Sequence, residues 1–235
     1  MFYRTAEYYD AIYSWKDYDE EARRLRALIA ERCRSDGRRL LDVACGTGEH
    51  LRRLRADFDV EGLDHDPRMI DIARGKLPGI AFHCASMDDF DLGSHFDVVT
   101  CLFSSIGYMK TESDLERALR CLARHVAPGG LLLLEPWFTP DEYRPGKPHM
   151  VTVDQPDLKI CRMNSSGCEG RISIMEMHHL VGTPRGVEHV VELHELRMST
   201  REELQVAIGA VGLEPHFDAT GPMGRGLHIG VRPRP

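Results

Sequence analysis

The sequence predicts an α/β fold: a seven-stranded mixed sheet with helices on both faces, plus a small antiparallel β lobe. Three observations carry this. Up to Leu134, short apolar runs alternate with stretches of helical spacing. The first of those runs leads directly into a glycine-rich turn. Beyond Pro140 helical spacing gives way to alternating residues interrupted by Pro140, Pro145, Pro148 and Pro156.

In chain order, residues 19–34 place Ala22, Leu25, Leu28 and Ile29 at the three-and-four spacing of an amphipathic helix. Arg39 to Val43 reads as a buried strand, residues 49–56 as a helix, and Val60 to Asp64 as the second strand. Pro67 opens the next helix, where a missing N–H costs nothing. Ile80 to Cys84 is the third strand. Phe96 to Phe103 is the fourth, apolar almost throughout, as a strand covered on both faces should be. Ser113 to Val126 is a helix ended by Pro128-Gly129-Gly130, and Leu131 to Leu134 is the fifth strand. This alternation implies right-handed crossovers and a mostly parallel sheet. Lys159 to Met163, Arg171 to Val181 and Val187 to Met198 alternate like antiparallel strands. Thr200 with Glu203 forms a capping box for a helix through Ala210, and Leu213 to Ala219 with Gly226 to Val231 closes the sheet as a hairpin. The organisation is therefore a core of residues 1–139 and 200–235 with an inserted lobe of residues 140–199.

Composition narrows the function. Lys and Arg total 30 against 37 Asp and Glu, a formal charge of −7, which disfavours nucleic acid as a partner. No run approaches the roughly 18 apolar residues of a membrane span, and the polar, aromatic start from Met1 to Asp10 is unlike a secretory signal. The expectation is a cytoplasmic protein with no membrane partner. Seven cysteines (Cys33, Cys45, Cys84, Cys101, Cys121, Cys161, Cys168) without C-x-x-C spacing signal neither a disulfide framework nor a zinc site. His178 and His179 are neighbours on a strand and point to opposite faces; His189 and His194 differ in parity. No metal site is expected from them, although one may still face an acceptor pocket.

The central motif is Leu40-Leu41-Asp42-Val43-Ala44-Cys45-Gly46-Thr47-Gly48, a strand running into G-x-G and then a helix. Glycines there allow a tight turn and close approach of backbone to a ligand. The second strand ends at Asp64, 16 residues after Gly48, where a carboxylate can accept hydrogen bonds from both hydroxyls of a ribose. A nicotinamide dinucleotide or S-adenosylmethionine (SAM) would satisfy this much. The dinucleotide fingerprint wants a third glycine where this chain has Leu51.

Asp-x-x-x-Gly-x-Gly resembles motif I of the Rossmann-like class I SAM methyltransferases. The likeness continues through Lys16-Asp17-Tyr18, Thr100 to Gly107, Ala127-Pro128-Gly129-Gly130, Glu135-Pro136-Trp137 and Gly224-Arg225-Gly226-Leu227. In that order these segments resemble the N,N-dimethyltransferases of nucleotide-linked 3-amino sugars over nearly the whole chain. The resemblance implies that Ala44, Gly46 and Gly48 lie under the amino-acid part of SAM, that Asp64 holds the ribose, and that His65 sits beside the adenine. It places Ser86 and Met87 at the adenine edge, Leu102 over the methionine moiety, and Tyr9 and Tyr18 near the SAM carboxylate. The family commonly has Gly-Asp-Met where this chain has Ala85-Ser86-Met87; a hydroxyl can still accept a bond from the adenine amino group, more weakly than a carboxylate.

Methyl transfer from a sulfonium needs alignment of a lone pair with the S–CH₃ bond and exclusion of water, chiefly an orientation effect. An amine acceptor must first lose a proton. The amino-sugar enzymes have a His after Ser-Ser-Ile-Gly; this chain has Tyr108, a poor base at an ordinary pKa near 10, better suited to positioning or hydrogen bonding. Glu135, at the carboxyl edge of the sheet, is a candidate to orient the acceptor or cap a loop. Trp137 and Phe138 would wall the pocket, and Arg225 between two glycines would meet a substrate phosphate. The expected partner is a small-molecule acceptor, first a nucleotide-linked amino sugar, then another amine or an O- or C-nucleophile, and a homodimer is possible. A SAM-sensing module without catalysis and a nicotinamide-dependent oxidoreductase are the rivals from other classes.

Overall fold

The computed structural model describes residues 5–234; residues 1–4 and 235, the outermost residues assigned to the core, lie outside it. A short 3₁₀ turn, Ala6–Tyr8, leads into α1 (Tyr9–Ile12) and then α2 (Tyr18–Arg32). The alternating section follows: β1 (Arg39–Val43), α3 (Glu49–Leu54), β2 (Asp59–Asp64), α4 (Pro67–Lys76), β3 (Ala81–Cys84) and β4 (Phe96–Cys101). Another 3₁₀ turn, Ser105–Tyr108, precedes α5 (Glu112–Arg124) and β5 (Val126–Leu134).

The sheet runs β10-β11-β5-β4-β1-β2-β3, where β10 (Glu214–Asp218) and β11 (Leu227–Val231) are the closing hairpin. The first five strands are parallel and β11 is antiparallel to β5. Successive strand residues face opposite sides, and the core divides accordingly. Leu41, Val99 and Leu132 join α5 and α6 (Arg201–Ala210) on one face; Leu40, Val98 and Leu131 join α2, α3 and α4 on the other. Both faces being covered is why these strands read as unbroken apolar runs. One boundary is corrected. Pro128-Gly129-Gly130 does not separate α5 from β5: the strand begins at Val126 and absorbs these residues, with a register shift against β4 between Phe96 and Val98.

The remaining sheet is an antiparallel meander of β6 (His149–Gln155), β7 (Leu158–Glu169), β8 (Ile172–Thr183) and β9 (Gly186–Arg197). β6 was not foreseen, because its apolar residues alternate over too short a span between prolines. Two-residue loops join the strands at Pro156-Asp157, Gly170-Arg171 and Pro184-Arg185. The inner face buries Val190, Glu192, His194 and Leu196 from β9, while Val187, Val191 and Leu193 stay exposed on the outer face. The segment before α2 clamps onto the lobe: Tyr8 and Ile12 pack against Val153, Ile160 and Val181. The Thr5 amide and hydroxyl both donate to Glu192 Oε1, at 2.9 and 3.0 Å.

Candidate active site

A cavity of about 940 Å³ lies between the carboxyl ends of the parallel strands, the α1 region and the inner face of the lobe. That is ample for a drug-sized ligand, whose pockets run from about 300 to 1,000 Å³.

At the sheet end, the turn after β1 sets the geometry. Ala44 and Gly46 are both left-handed (φ 61° and 54°). The Gly46 amide donates to Asp64 Oδ2 at 2.9 Å, and the Asp66 amide donates to Oδ1 at 2.9 Å. Asp64 is thus locked at the cavity wall, 7% exposed. An ionised carboxylate offers about four acceptor positions, so both oxygens keep capacity for a diol. A Cβ built on Gly46 would meet nothing within 4 Å, which marks open space beside the backbone.

Gly48 has a different job. It is the left-handed N-cap of α3 (φ 82°), and a Cβ there would lie 2.9 Å from Leu77 and 3.6 Å from the Ala73 Cβ. This glycine lets α3 pack on α4 and does not line the cavity.

Seven of the residues assigned to the cofactor line the cavity: Tyr9, Ala44, Gly46, Asp64, His65, Ser86 and Met87. The Ser86 hydroxyl donates to Asp88, leaving its lone pairs toward the cavity. That bond, with help from Arg117, holds the Asp88 carboxyl below its usual range. The aromatic Tyr9 stacks tilted on Tyr13 at 4.6 Å, and burial pushes its hydroxyl well above the ordinary tyrosine range, so it serves as a neutral group.

Three assignments need correction beyond Gly48. Leu102 is 3% exposed and packs in the core with Leu131 and Leu133, so its side chain does not cover a methionine moiety. Tyr18 is buried edge-on against His50 at 5.0 Å, under the Lys16 ammonium and the Arg53 guanidinium, and does not reach the cavity. Glu135 is fully buried and also absent from the wall; of its two proposed roles the structure has the capping one. Its Oε2 accepts the Phe103 amide at 2.6 Å and secures a turn in which Phe103 and Ser104 are both left-handed (φ 52° and 61°). Burial raises the Glu135 carboxyl, partly opposed by the nearby Lys16 charge, the Phe103 amide and Arg225.

At the lobe end, Tyr108, Trp137 and Arg225 line the cavity as the sequence analysis expected of them. The Trp137 indole donates to Ser173 Oγ at 2.8 Å, fixing the ring against β8. Arg225 lies over Trp137 and Phe138, 5.1 and 4.8 Å from their centroids, and donates to Ser104 Oγ at 2.9 Å. Those contacts hold the guanidinium plane at the wall with donors to spare.

The lobe also contributes Arg162 and Asn164, which nothing in the sequence singles out. Arg162 is 6% exposed and lines the cavity beside Tyr13, 5.2 Å from that ring; Asn164 lies on the same wall. Of His178, His179, His189 and His194, it is His194 that lines the cavity, and its Nδ1 is 2.7 Å from the Tyr108 hydroxyl. On the outer face His178 and His189 stack at 5.2 Å, a pairing between strands that parity within one strand does not reveal. Among the described residues no cluster of three His, Cys, Asp or Glu could hold a metal. For His194 the signal in the sequence is polarity at every second position, masked because β9 carries apolar residues on both faces.

The donor set fits SAM: paired acceptors for a ribose at Asp64, open space beside the Gly46 backbone, and a mixed apolar and polar edge at Met87 and Ser86. Comparison with known proteins agrees. The methyltransferase domain family matches residues 40–130. The dTDP-3-amino-3,6-dideoxy-alpha-D-glucopyranose N,N-dimethyltransferase of Streptomyces fradiae is 42% identical over 230 residues, 96% of this chain and 90% of that protein. The crystal structure of Streptomyces venezuelae DesVI superposes with a TM-score of 0.91 at 36% identity, covering 98% of this chain and 99% of that one. SAM-bound CalS10, an amino pentose methyltransferase from Micromonospora echinaspora, gives 0.85 at 36% identity, covering 99% and 98%. This chain belongs to the class I SAM-dependent methyltransferases, within the group of the sugar N,N-dimethyltransferases.

Proposed function

We propose that this methyltransferase acts on the amino group of a nucleotide-linked amino sugar. The observation that carries the reading is Arg225, held by Trp137, Phe138 and Ser104 in the same cavity that Asp64 lines. A planar guanidinium matches phosphate oxygens two at a time, and Arg162 supplies a second cation lining the same cavity. The names of the similar proteins point to the same class of acceptor.

SAM supplies a methyl group on a cationic sulfur that leaves as a neutral thioether. The chain's own residues then have three tasks. Asp64, with Gly46 behind it, holds the ribose; His65, Ser86 and Met87 flank the adenine; Ala44 and Tyr9 border the amino-acid part. Arg225 and Arg162 anchor the diphosphate, so that the sugar nitrogen points back toward the sheet. Tyr9, Tyr13 and Phe103 cover the junction and exclude water, which leaves alignment as the main source of rate. In this reading residues 140–199 are the acceptor-binding lobe and the rest is the cofactor core.

The test is incubation with SAM and a panel of dTDP-linked amino sugars, their free sugars and simple amines, read by product mass. Methylation of the nucleotide-linked amines in clear preference to the free sugars is expected. Equal turnover of free and nucleotide-linked sugars would remove the phosphate-binding role.

A further inference from the structure

Tyr108 is an unpromising proton acceptor by itself, yet its hydroxyl meets a group that is a good one. The residue sits at the end of the 3₁₀ turn Ser105–Tyr108, on the cavity wall. Its oxygen is 2.7 Å from Nδ1 of His194, which comes from β9, 86 positions later in the chain. His194 is 3% exposed, and its Nε2 is 3.6 Å from Oε2 of Glu192, two residues earlier on the same face of the strand. Glu192 is itself buried and is fixed through its other oxygen by the Thr5 amide and hydroxyl. Cavity wall, hydroxyl, imidazole and carboxylate therefore line up in that order.

We propose that Tyr108, His194 and Glu192 form a proton relay at the acceptor site, with Tyr108 touching the substrate nitrogen and His194 taking up the proton through it. This rests on the reading of an amine acceptor. The bound ammonium gives a proton to the Tyr108 oxygen as the Tyr108 hydroxyl gives its own to His194 Nδ1. The result is a neutral amine, an intact tyrosine and an imidazolium facing the Glu192 carboxylate. The amine lone pair then forms the N–C bond as the S–C bond breaks and its electrons stay on sulfur. The methylated nitrogen again carries a positive charge and the product leaves as the ammonium, while the proton on His194 returns through the Tyr108 hydroxyl to water that refills the cavity. A tyrosine can mediate this without ever becoming a free phenolate, and imidazole is the side chain that changes charge most readily near neutral pH.

The surroundings suit the task. Burial works against the Glu192 charge, but His194, Thr5 and His179 outweigh it and hold the carboxyl below its ordinary range. Among the described residues, charged and titratable groups that face His194 include Tyr108 from the core, Glu192 on its own strand and His179 on β8, which also has Arg162 of β7 beside it. The carboxylate and the guanidinium oppose one another, and burial keeps His179 neutral by lowering its pKa.

The experiment is steady-state kinetics across pH with a nucleotide-linked amino sugar that the wild-type enzyme turns over, comparing wild type, His194→Gln, Tyr108→Phe and the double variant. SAM binding by calorimetry serves as the check on folding. Each single variant should lower kcat by about 10²-fold and move the acid limb of its pH profile up toward the titration of the free substrate amine. The double variant should fall no further than the worse single, and SAM affinity should stay within two- to three-fold, about a factor that positioning of the cofactor would tolerate. Tyr108→Phe breaks the same contact from the cavity side, so the proposal remains testable if His194→Gln folds poorly. Wild-type kcat with an unchanged acid limb in Tyr108→Phe overturns the relay. If the wild type transfers methyl to no nucleotide-linked amine, it is the proposed function that fails, and the two failures are told apart by the wild-type reaction alone.

Discussion

The two ends of the cavity are built by different means. At the sheet end, neighbours in sequence do the work: the turn after β1 and the end of β2 meet because β1 and β2 pair in parallel, Val43 opposite Leu63. Backbone amides at Gly46 and Asp66 then fix Asp64. At the lobe end, side chains from distant segments converge: Tyr108, Trp137, Arg162, His194 and Arg225 come from five separate stretches. Their contacts are between side chains across domain-scale separations, such as Arg225 with Ser104, 121 positions apart. A binding site made of backbone and turn geometry tolerates little change in local sequence. One made of converging side chains can be rewritten residue by residue, which suits the acceptor-binding role proposed for that end.

The comparison can be broken at several points. The largest effect is expected from Gly48→Val. A β-branched residue at φ 82° is strained by about 1–3 kcal/mol, and the contact with Leu77 adds about 1–3 kcal/mol of overpacking. Chemical denaturation should show a loss of about 3 kcal/mol, with SAM affinity of the folded fraction nearly unchanged; a selective loss of SAM binding would return Gly48 to the ligand. Next, Asp64→Asn should weaken SAM by about 1–3 kcal/mol through lost charge-assisted bonds, leaving the acceptor KM alone. Calorimetry showing equal affinity would take Asp64 out of the ribose role.

Arg225→Ala sharpens the other end. It should raise KM for a nucleotide-linked acceptor by about tenfold, equivalent to roughly 1.4 kcal/mol, while SAM binding stays constant. A rise in SAM Kd of the same size would mean that the two ends are not separable. The smallest effect concerns Glu135→Gln. Because the folded carboxyl is raised by burial above its ordinary value of 4.5, its contribution to stability is fully present below that pH and is lost as pH rises through the folded pKa. Wild type should therefore lose ground to Glu135→Gln as pH increases across that window, in thermal melts at matched ionic strength. The opposite slope would show that the Lys16 and Arg225 charges dominate.

Legibility followed the same divide. The parallel strands were readable because both faces are buried, and the capping box at Thr200 and Glu203 forms as its spacing says, with reciprocal bonds of 2.8 and 3.1 Å. The meeting of Gly46 and Asp64 at the cavity was readable because it depends on a strand, a turn and a strand end. Leu102, Tyr18 and Glu135 were misplaced for one reason. Proximity to a motif does not tell which way a side chain turns, and all three turn inward to finish the core or a loop. His194 was hidden because β9 carries apolar residues on both faces, so its alternation could not say which face meets the protein.

The sequence by itself determined the doubly wound core, the position of the lobe and the class of cofactor, since each follows from local periodicity, turn chemistry and short spacings. Only the tertiary structure decided which face of β9 is buried, which glycine of the pair borders open space, and that Tyr108 meets an imidazole. Those outcomes depend on which distant surfaces pack together, and no local pattern encodes that.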